Sequence, residues 1–398
     1  MKSCGPWLNR NARDMNPESE LLRMAIGQRR GTDRTDRAVV RFIRLLSLLA
    51  TVAAVGRLTQ AQTPQAAPQA QATNPQPLAA PPAPKTVSSK AQEEMKEYEA
   101  SQTSSLKQPF ASSTVAEQRG FWDQRQKTMS EDMLKNYPVR IEESKMGGVS
   151  VLLISSLKME DKNRNRILIN VHGGAFNTDA GSLIENIPIV YLAGIEVIAV
   201  KYRLAPENPF PAGLDDAIVV YKEVLKKYDP RNIGLYGTSA GATLTSETAA
   251  KIKQLGLPLP AALGFFSGWA DFSLQGDSMS WFTIGGLRVT KSADEMQRFN
   301  PYVGKTDPKD PVLSPLYSDL KGYPPTLCIT GTRDLLLSGT TLYHRALLQA
   351  GVNAQLVVFE GMPHAHWLMY HDTPEAAEAF TYMAKFFDRY VGRAVGSN

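Results

Sequence analysis

The chain has 398 residues, of which 43% are hydrophobic and 21% are charged, and its net charge is +5. This length and apolar content suffice for one large domain or two small ones, and they exclude a collagen-like, coiled-coil or fully disordered protein. The positive charge is concentrated in residues 1–60, which hold eleven Lys and Arg against five Asp and Glu. The rest of the chain holds 33 basic and 34 acidic residues, so we expect no nucleic-acid partner.

Residues 1–61 have the features of a secretory leader. Arg41 and Arg44 precede an uncharged apolar run of twelve residues, 45–56, and Ala61 ends a small-x-small cleavage site. A basic region, a short apolar region and a small-residue site together define such a signal. The run is shorter than the roughly 20 residues of a membrane span. We therefore expect an exported protein, periplasmic or secreted, with no stable membrane span in its mature form.

Two alternatives stay open for this leader: a true start at Met24, which gives a more ordinary length, and an uncleaved N-terminal membrane anchor. Residues 62–88 are rich in Pro, Gln and Ala, a composition that cannot bury a core and that predicts a disordered tether. Within residues 89–140, the segments 89–106 and 114–135 carry helix formers and many charges, and they predict two helices before the main fold. The main domain is predicted over residues 141–395.

After Gly147-Gly148, short β-branched runs alternate with helical segments. The predicted strands are Val149–Ser155, Arg166–Val171, Glu196–Lys201, Asn232–Tyr236, Ala261–Phe266, Pro325–Thr330 and Ala354–Phe359. Apolar residues repeat at helical spacing over Pro211–Tyr228. This alternation predicts the α/β class, with a mostly parallel central sheet and helices on both faces. Ligands bind such sheets at the C-terminal ends of the strands, where chemistry is therefore expected.

The segment Gly237-Thr238-Ser239-Ala240-Gly241 follows one predicted strand and precedes a helical stretch. It matches G-x-S-x-G on a strand–turn–helix, in which small residues allow a strained turn that exposes the serine hydroxyl. This pattern predicts Ser239 as a nucleophile. The plain alternative is a glycine-rich helix start at which Ser239 is only a cap.

A second glycine motif, His172-Gly173-Gly174-Ala175-Phe176, follows the predicted strand Arg166–Val171. Acyl transfer creates an oxyanion, and backbone N–H groups must point at it. Two consecutive glycines let the backbone approach the reacting atoms without side-chain obstruction. An ordinary glycine turn is the alternative, and the presence of Ser239 downstream favours the functional interpretation.

A serine nucleophile needs an imidazole base, and that imidazole needs a carboxylate to fix its tautomer. Asp334 and His364 each follow a predicted strand, in the order Ser, Asp, His that this kind of fold uses. Of the five histidines, His366 is the nearest rival to His364. His344 lies in a helical stretch and is expected to pack or to face solvent.

Together these motifs resemble the hormone-sensitive-lipase-like group of α/β-hydrolases (the α/β-hydrolase fold-3 family), in its bacterial esterase branch, over roughly residues 140–395. The motifs that carry the resemblance are, in order, His172-Gly173-Gly174, Tyr202–Glu207, Phe210–Ala212, Asp215-Asp216, Gly237–Gly241, Asp334 and Gly361–His364. The resemblance implies the α/β-hydrolase fold with residues 89–140 as an N-terminal helical cap, an ester as the small-molecule substrate, and no metal or cofactor.

The resemblance also implies site roles. Ser239 is the nucleophile, Asp334 the acid and His364 the base. The oxyanion hole is expected from the backbone amides of Gly173, Gly174, Ala175 and Ala240. Arg203 and Glu207 belong to a structural brace. The chain departs from the family at Ala175, where a third glycine is usual, and at Thr238, where Asp is common.

The function expected from these residues is hydrolysis of small to medium, short-acyl carboxylic esters through an acyl-enzyme. Lactone or amide hydrolysis uses the same three residues and remains an alternative. A non-catalytic ligand receptor is a third possibility, because a fold does not dictate function. Aromatic residues at Phe121-Trp122 and Trp281-Phe282 either line a substrate pocket or pack between cap and core.

Overall fold

The computed structural model describes residues 82–103, 114–273, 276–283, 286–287 and 300–392. The predicted leader, most of the predicted tether and the end of the first predicted helix lie outside these residues. The strands of the described part are β1 Val139–Met146, β2 Val149–Ser156, β3 Ile167–Val171, β4 Glu196–Val200, β5 Ile233–Thr238, β6 Ala262–Phe266, the short pair β7 Phe282–Thr283 and β8 Gly286–Leu287, then β9 Thr326–Gly331 and β10 Ala354–Phe359. Eight of them form one sheet in the order β1-β2-β4-β3-β5-β6-β9-β10.

Helices connect the strands and cover both faces of the sheet. They are α1 Ser89–Thr103, α2 Val115–Asn136, α3 Asn186–Ala193, α4 Ala212–Leu225, α5 Ala240–Gln254, α6 Asp277–Trp281, α7 Asn300–Val303, α8 Leu337–Gln349, α9 His366–Met369 and α10 Pro374–Tyr390. Strands β1 and β2 pair antiparallel, as do β2 and β4. The remaining pairs of this sheet, β4–β3, β3–β5, β5–β6, β6–β9 and β9–β10, are parallel. The mostly parallel α/β sheet predicted from the alternation is therefore confirmed.

Burial explains the sequence pattern. Every residue of β3, β5, β6 and β9 is buried, because helices lie on both sides of these central strands. One core cluster joins a sheet face to α4, α5 and α8, and a second joins the other face to α3 and α10. Helix α10 has the strongest apolar stripe, with Phe380, Met383 and Phe387 at most 1% exposed.

The seven predicted strands are all present, with ends that shift by at most two residues. Strand β1 was not predicted, and it begins at Val139 inside the stretch expected to form the helical cap. Its residues alternate between half-buried and exposed, and four of them are charged, so it has no apolar signature. Gly147 and Gly148 form the turn to β2 at φ values of +57° and +90°, which are typical of a tight hairpin.

Residues 82–88, here called the strap, lie at the end of the predicted tether (62–88), and several of them contact the main domain. Val87 is 6% exposed and belongs to the core cluster of α10. The backbone amide and hydroxyl of Ser88 donate to the carboxylate of Glu375, at 2.6 and 2.8 Å. The amino-acid composition of residues 62–88 as a whole does not reveal that one valine near its end is buried.

The strap also contacts two loops that follow strands β9 and β10. The guanidinium of Arg333 donates to the carbonyl of Pro82 at 3.0 Å. A Cβ placed on Gly361 would lie 2.3 Å from Cγ of Pro84, so the loop after β10 lies directly against the strap. Arg333 is adjacent to Asp334, and Gly361 lies three residues before His364. The strap therefore packs on both loops that carry predicted site residues.

Replacing Val87 with Ala tests whether the strap contributes to folding. We expect a loss of about 2 kcal/mol in unfolding free energy, because two buried methyl groups are removed and a small cavity is left. The matched control is Thr86→Ala at the exposed neighbouring position, which should change stability by less than about 0.5 kcal/mol. Urea unfolding measures both variants, and equal midpoints for both would contradict the packing of the strap.

Candidate active site

Ser239 lies at the sharp turn between β5 and α5. Its backbone has φ +60° and ψ −122°, a strained conformation for a residue with a side chain. The turn is pressed against the end of β3: a Cβ on Gly237 or on Gly241 would lie 2.2 or 2.0 Å from the carbonyl oxygen of Val171. Glycine is therefore required at both positions, as the G-x-S-x-G pattern predicts.

Three side chains from distant parts of the sequence form one hydrogen-bonded line. The Nε2 atom of His364 lies 2.9 Å from Oγ of Ser239. The Nδ1 atom of the same ring lies 2.9 Å from Oδ1 of Asp334. Asp334 is fully buried and His364 is 7% exposed, so water has little access to the imidazole. The structure thus brings together the predicted nucleophile, base and acid.

Asp334 is held by several donors besides the imidazole. Its Oδ2 accepts from the hydroxyls of Ser267 at 2.5 Å and Thr330 at 2.8 Å, and its Oδ1 accepts from the backbone amide of Leu336 at 2.8 Å. Burial opposes ionisation of this carboxyl, but the charge interaction with His364 and these hydrogen bonds outweigh it, and its pKa is lowered. An ionised Asp334 only accepts hydrogen bonds, so Nδ1 carries the proton and Nε2 is free to accept from Ser239.

The predicted oxyanion loop lies directly against this turn. A Cβ on Gly173 would lie 2.6 Å from the carbonyl oxygen of Thr238 and 3.3 Å from Cβ of Ser239. The next three residues turn sharply, with φ values of +118° at Gly174, +53° at Ala175 and +64° at Phe176. Ala175, which replaces the usual glycine, therefore adopts the left-handed conformation that glycine would supply.

Ala240 begins α5, so its amide is among the helix N-terminal donors that lack a partner within the helix. The amide of Ser239 donates to the carbonyl of Phe266 at 2.8 Å and is therefore already used. The amide of Ala240, one of the predicted oxyanion donors, therefore lies at the N-terminus of α5 directly after Ser239.

His172 anchors the oxyanion loop and is not a base. Its ring is buried and stacks on Tyr202, with centroids 4.2 Å apart. Its Nδ1 lies 2.8 Å from the carbonyl oxygen of Gly173, and the hydroxyl of Tyr202 donates to the carbonyl of His172 at 2.7 Å. These contacts fix the backbone immediately before the predicted oxyanion donors.

The other histidines make different contacts. His366, the rival base, is buried between the rings of Phe359 and Trp367, and burial lowers its pKa to about 3. His344 is half-buried in α8, with Nε2 3.4 Å from the carbonyl oxygen of Ala354. His371 faces Asp132 at 3.5 Å.

Arg203 and Glu207 make the structural contacts expected of a brace. Arg203 pairs with Asp216 through both its backbone amide and its guanidinium. Glu207 pairs with Arg119 of α2 at 2.7 Å. The same guanidinium donates to the carbonyl of Asn177 at 2.8 Å, so α2 is tied to the end of the oxyanion loop.

The two aromatic pairs lie at the surface. Phe121 and Trp122 meet edge to face, and Phe121 borders an open cavity of about 410 Å³ on α2 whose lining includes none of the predicted site residues. Trp281 is 60% exposed, and Phe282 is half-buried against the core.

Sequence reasoning missed Ser267 as a partner of Asp334. Ser267 directly follows β6, just as Asp334 and His364 follow β9 and β10. The expectation that functional residues follow the C-terminal ends of strands applies to Ser267 as well. A single serine after a strand matches no sequence motif, however, so the sequence provided no reason to choose it.

The arrangement can generate a nucleophilic alkoxide equivalent at Ser239, because a neutral imidazole accepts the hydroxyl proton and an ionised carboxylate stabilises the resulting cation. Within the residues that the structure describes, no group of three or more His, Cys, Asp or Glu is arranged to hold a metal ion. In the same part of the chain, no helix is both long and apolar enough to cross a bilayer.

Comparison with known proteins agrees with this geometry. A family model described as the alpha/beta hydrolase fold matches residues 168–368, just over half of the chain. An acetyl-hydrolase of Streptomyces hygroscopicus is 31% identical over 234 residues, covering 58% of this chain and 78% of that protein. An esterase of Acinetobacter venetianus is 28% identical over 227 residues, covering 56% and 74%.

Solved structures show the same likeness. The crystal structure of an esterase called E25 superposes with a TM-score of 0.67 at 32% identity, covering 78% of this chain and 97% of that one. An esterase from the bacterial hormone-sensitive lipase family gives a TM-score of 0.64 at 28% identity, covering 76% and 99%.

The chain therefore belongs to the α/β-hydrolase fold family. Within it, the protein is a hormone-sensitive-lipase-like and carboxylesterase-like hydrolase.

The close contact at Gly173 predicts a sharp effect of substitution. Gly173→Ala should lower kcat/KM by roughly 100-fold or more, because the new methyl group displaces the loop from Thr238 and misaligns the oxyanion donors. Gly120→Ala in α2 is the matched control, since a Cβ there meets nothing within 4 Å and activity should be unchanged. Steady-state hydrolysis of p-nitrophenyl acetate measures both, and a fully active Gly173→Ala variant would contradict the expected role of the loop.

Proposed function

We propose that the protein is a serine carboxylesterase that hydrolyses small to medium, short-acyl esters through an acyl-enzyme. The observation that carries the proposal is the hydrogen-bonded line from Ser239 through His364 to Asp334, with both distances at 2.9 Å. The close approach of Gly173 to Ser239 supports an adjoining oxyanion hole.

In the first half of the reaction, Oγ of Ser239 attacks the ester carbonyl carbon while Nε2 of His364 takes the hydroxyl proton. The carbonyl π electrons move to the oxygen, which accepts hydrogen bonds from the proposed oxyanion donors. These donors are the backbone amides of Gly173, Gly174, Ala175 and Ala240. Collapse of this intermediate breaks the bond to the alcohol oxygen, and the imidazolium returns its proton to the leaving alcohol.

In the second half, water takes the place of the alcohol. His364 accepts a proton from that water, the hydroxide attacks the acyl carbon, and the acid leaves as Oγ of Ser239 regains its proton. Asp334 stays ionised throughout, in keeping with its lowered pKa. The imidazole of His364 acts as the base in its neutral form.

The acyl preference is proposed from the relatives. One is named an acetyl-hydrolase and another an ethyl acetate hydrolase, the latter 27% identical over 235 residues. We therefore expect acetyl to butyryl esters to be turned over faster than long-chain esters. Assays of p-nitrophenyl esters of increasing acyl length, run beside lactones and amides, measure this preference. If a lactone or an amide is turned over faster than the esters, the enzyme is a lactone or amide hydrolase. Ser239, His364 and Asp334 would keep the same roles in that reaction.

Ser239→Ala should reduce turnover of p-nitrophenyl acetate by roughly 10⁶-fold, because the attacking oxygen is removed. Ser246→Ala is the control: Ser246 is another buried serine, its hydroxyl donates within α5, and its loss should leave kcat unchanged. A fluorophosphonate probe should label the wild type at Ser239 and should not label the Ser239→Ala variant.

Two results would overturn the assignment. Undiminished hydrolysis by the Ser239→Ala variant would show that Ser239 is not the nucleophile. A folded wild type that neither reacts with the probe nor hydrolyses any ester would favour a non-catalytic ligand receptor on the same fold.

We also propose that the protein is exported, with its leader removed after Ala61. The support is the basic, apolar and small-residue pattern of residues 41–61. Edman sequencing of the protein recovered outside the cytoplasm should begin at residue 62. An intact N-terminus on membrane-bound protein would favour the anchor instead.

A further inference from the structure

A fully buried carboxylate lies beneath the site without a role in the proposed reaction. Glu185 is the residue directly before α3, and it is 0% exposed. Its Oε1 accepts from the hydroxyl of Thr238 at 2.5 Å, and its Oε2 accepts from the amide of Asn170 at 3.2 Å. Both oxygens therefore have a donor, which is how a carboxylate is accommodated in a protein interior.

Thr238 connects this carboxylate to two parts of the site. It is the residue directly before Ser239 at the end of β5. Its hydroxyl donates to Glu185 and also accepts from the indole nitrogen of Trp367 at 3.3 Å. Trp367 lies three residues after His364, in the short helix α9. One hydroxyl thus links the turn that carries the nucleophile to the segment that follows the base.

The same carboxylate also lies near the oxyanion loop. A Cβ on Gly181 would be 3.3 Å from Oε2 of Glu185 and 3.7 Å from the backbone nitrogen of Gly173. Gly181 therefore fills the narrow space between the carboxylate and the loop. Glu185 lies where the nucleophile turn, the oxyanion loop and the base segment converge.

Burying the Glu185 carboxylate costs desolvation free energy. Burial raises the pKa of Glu185 to about 7, against the hydrogen bonds from Thr238 and Asn170 that lower it, and the charge of Asp179 raises it further. A neutral side chain of the same size would avoid this desolvation cost. Perturbed buried carboxyls of this kind cluster at functional sites, although structural networks also produce them, so the contacts must decide the role.

We propose that Glu185 is a positioning residue of the hydrolytic site, which acts through the Thr238 hydroxyl to hold the Ser239 turn in register with the segment of His364. The inference rests on the proposed function. The hydroxyl of Thr238 must donate to Glu185 in order to accept from Trp367, so a carboxylate at this place fixes the direction of both hydrogen bonds. A misplacement of the Ser239–His364 contact by about 1 Å costs roughly 100-fold in rate, so a small loss of register is measurable.

The test uses variants that keep the shape of the buried side chains. Thr238→Val removes the hydroxyl and retains the branched side chain, and Thr238→Ser restores the hydroxyl. Glu185→Gln keeps the volume, but its amide group cannot accept from both Thr238 and Asn170. Thr248→Val is the control, since Thr248 is an equally buried threonine whose hydroxyl donates only to Leu244 within α5.

For each variant, kcat and KM for p-nitrophenyl acetate are measured per active site, with the sites counted by fluorophosphonate titration. We expect Thr238→Val and Glu185→Gln each to lower kcat by about 10- to 100-fold with KM within threefold of the wild type. Thr238→Ser should recover kcat to within threefold, and Thr248→Val should leave it unchanged. The double variant Thr238→Val/Glu185→Gln should be no slower than the slower single variant, because both changes break the same link.

A merely structural role gives a different result. It would lower the urea midpoint and the number of titrated sites, while kcat per titrated site stayed at the wild-type value, and this outcome would overturn the proposal. Losses that multiply in the double variant would also overturn it, because the two residues would then act independently. If Glu185→Gln does not fold, the contrast between Val and Ser at position 238 decides alone. Absence of hydrolysis and labelling in the wild type would refute the proposed function instead.

Discussion

The structure depends on a backbone-to-backbone contact between the end of β5 and the end of β3. A side-chain carbon at Gly237 or Gly241 would overlap the carbonyl oxygen of Val171, and one at Gly173 would overlap that of Thr238. The strained backbone of Ser239, of a kind that costs on the order of 1–3 kcal/mol, is held by this contact. Because the same contact positions the oxyanion loop, the nucleophile and the proposed anion donors share one structural support.

The order of strands explains how distant residues meet. β3, β5, β6, β9 and β10 are consecutive neighbours in the sheet, and all run parallel. Their C-terminal ends carry, in that order, the oxyanion loop, Ser239, Ser267, Asp334 and His364. Neighbouring strands lie about 4.8 Å apart, so Ser267 and Asp334, which follow the adjacent strands β6 and β9, come within hydrogen-bonding reach. Strands β5 and β10 are separated by β6 and β9, so the loop after β10 must extend across the strand ends for His364 to reach Ser239. Ser239 and His364 are 125 positions apart in sequence and in contact in space.

Much of this could be predicted from sequence because local patterns carry it. Strands buried on both faces are continuous apolar runs, glycines mark the two tight turns, and Asp334 and His364 follow strands. Strand β1 could not be found in this way, since it lies at the sheet edge and its charged residues face water. The strap was missed because one buried valine does not change the composition of a Pro/Gln/Ala-rich stretch. Pairings such as Ser267 with Asp334 and Glu185 with Thr238 join residues 67 and 53 positions apart, and no motif records them.

The strap has a consequence for how far the chain can be shortened. Its carbonyl at Pro82 and its ring at Pro84 touch the loops of Asp334 and His364, while Ser88 is fastened to the first turn of the last helix. Loss of the strap would therefore remove contacts with both of these loops and with the last helix at once, although its composition is that of a dispensable linker.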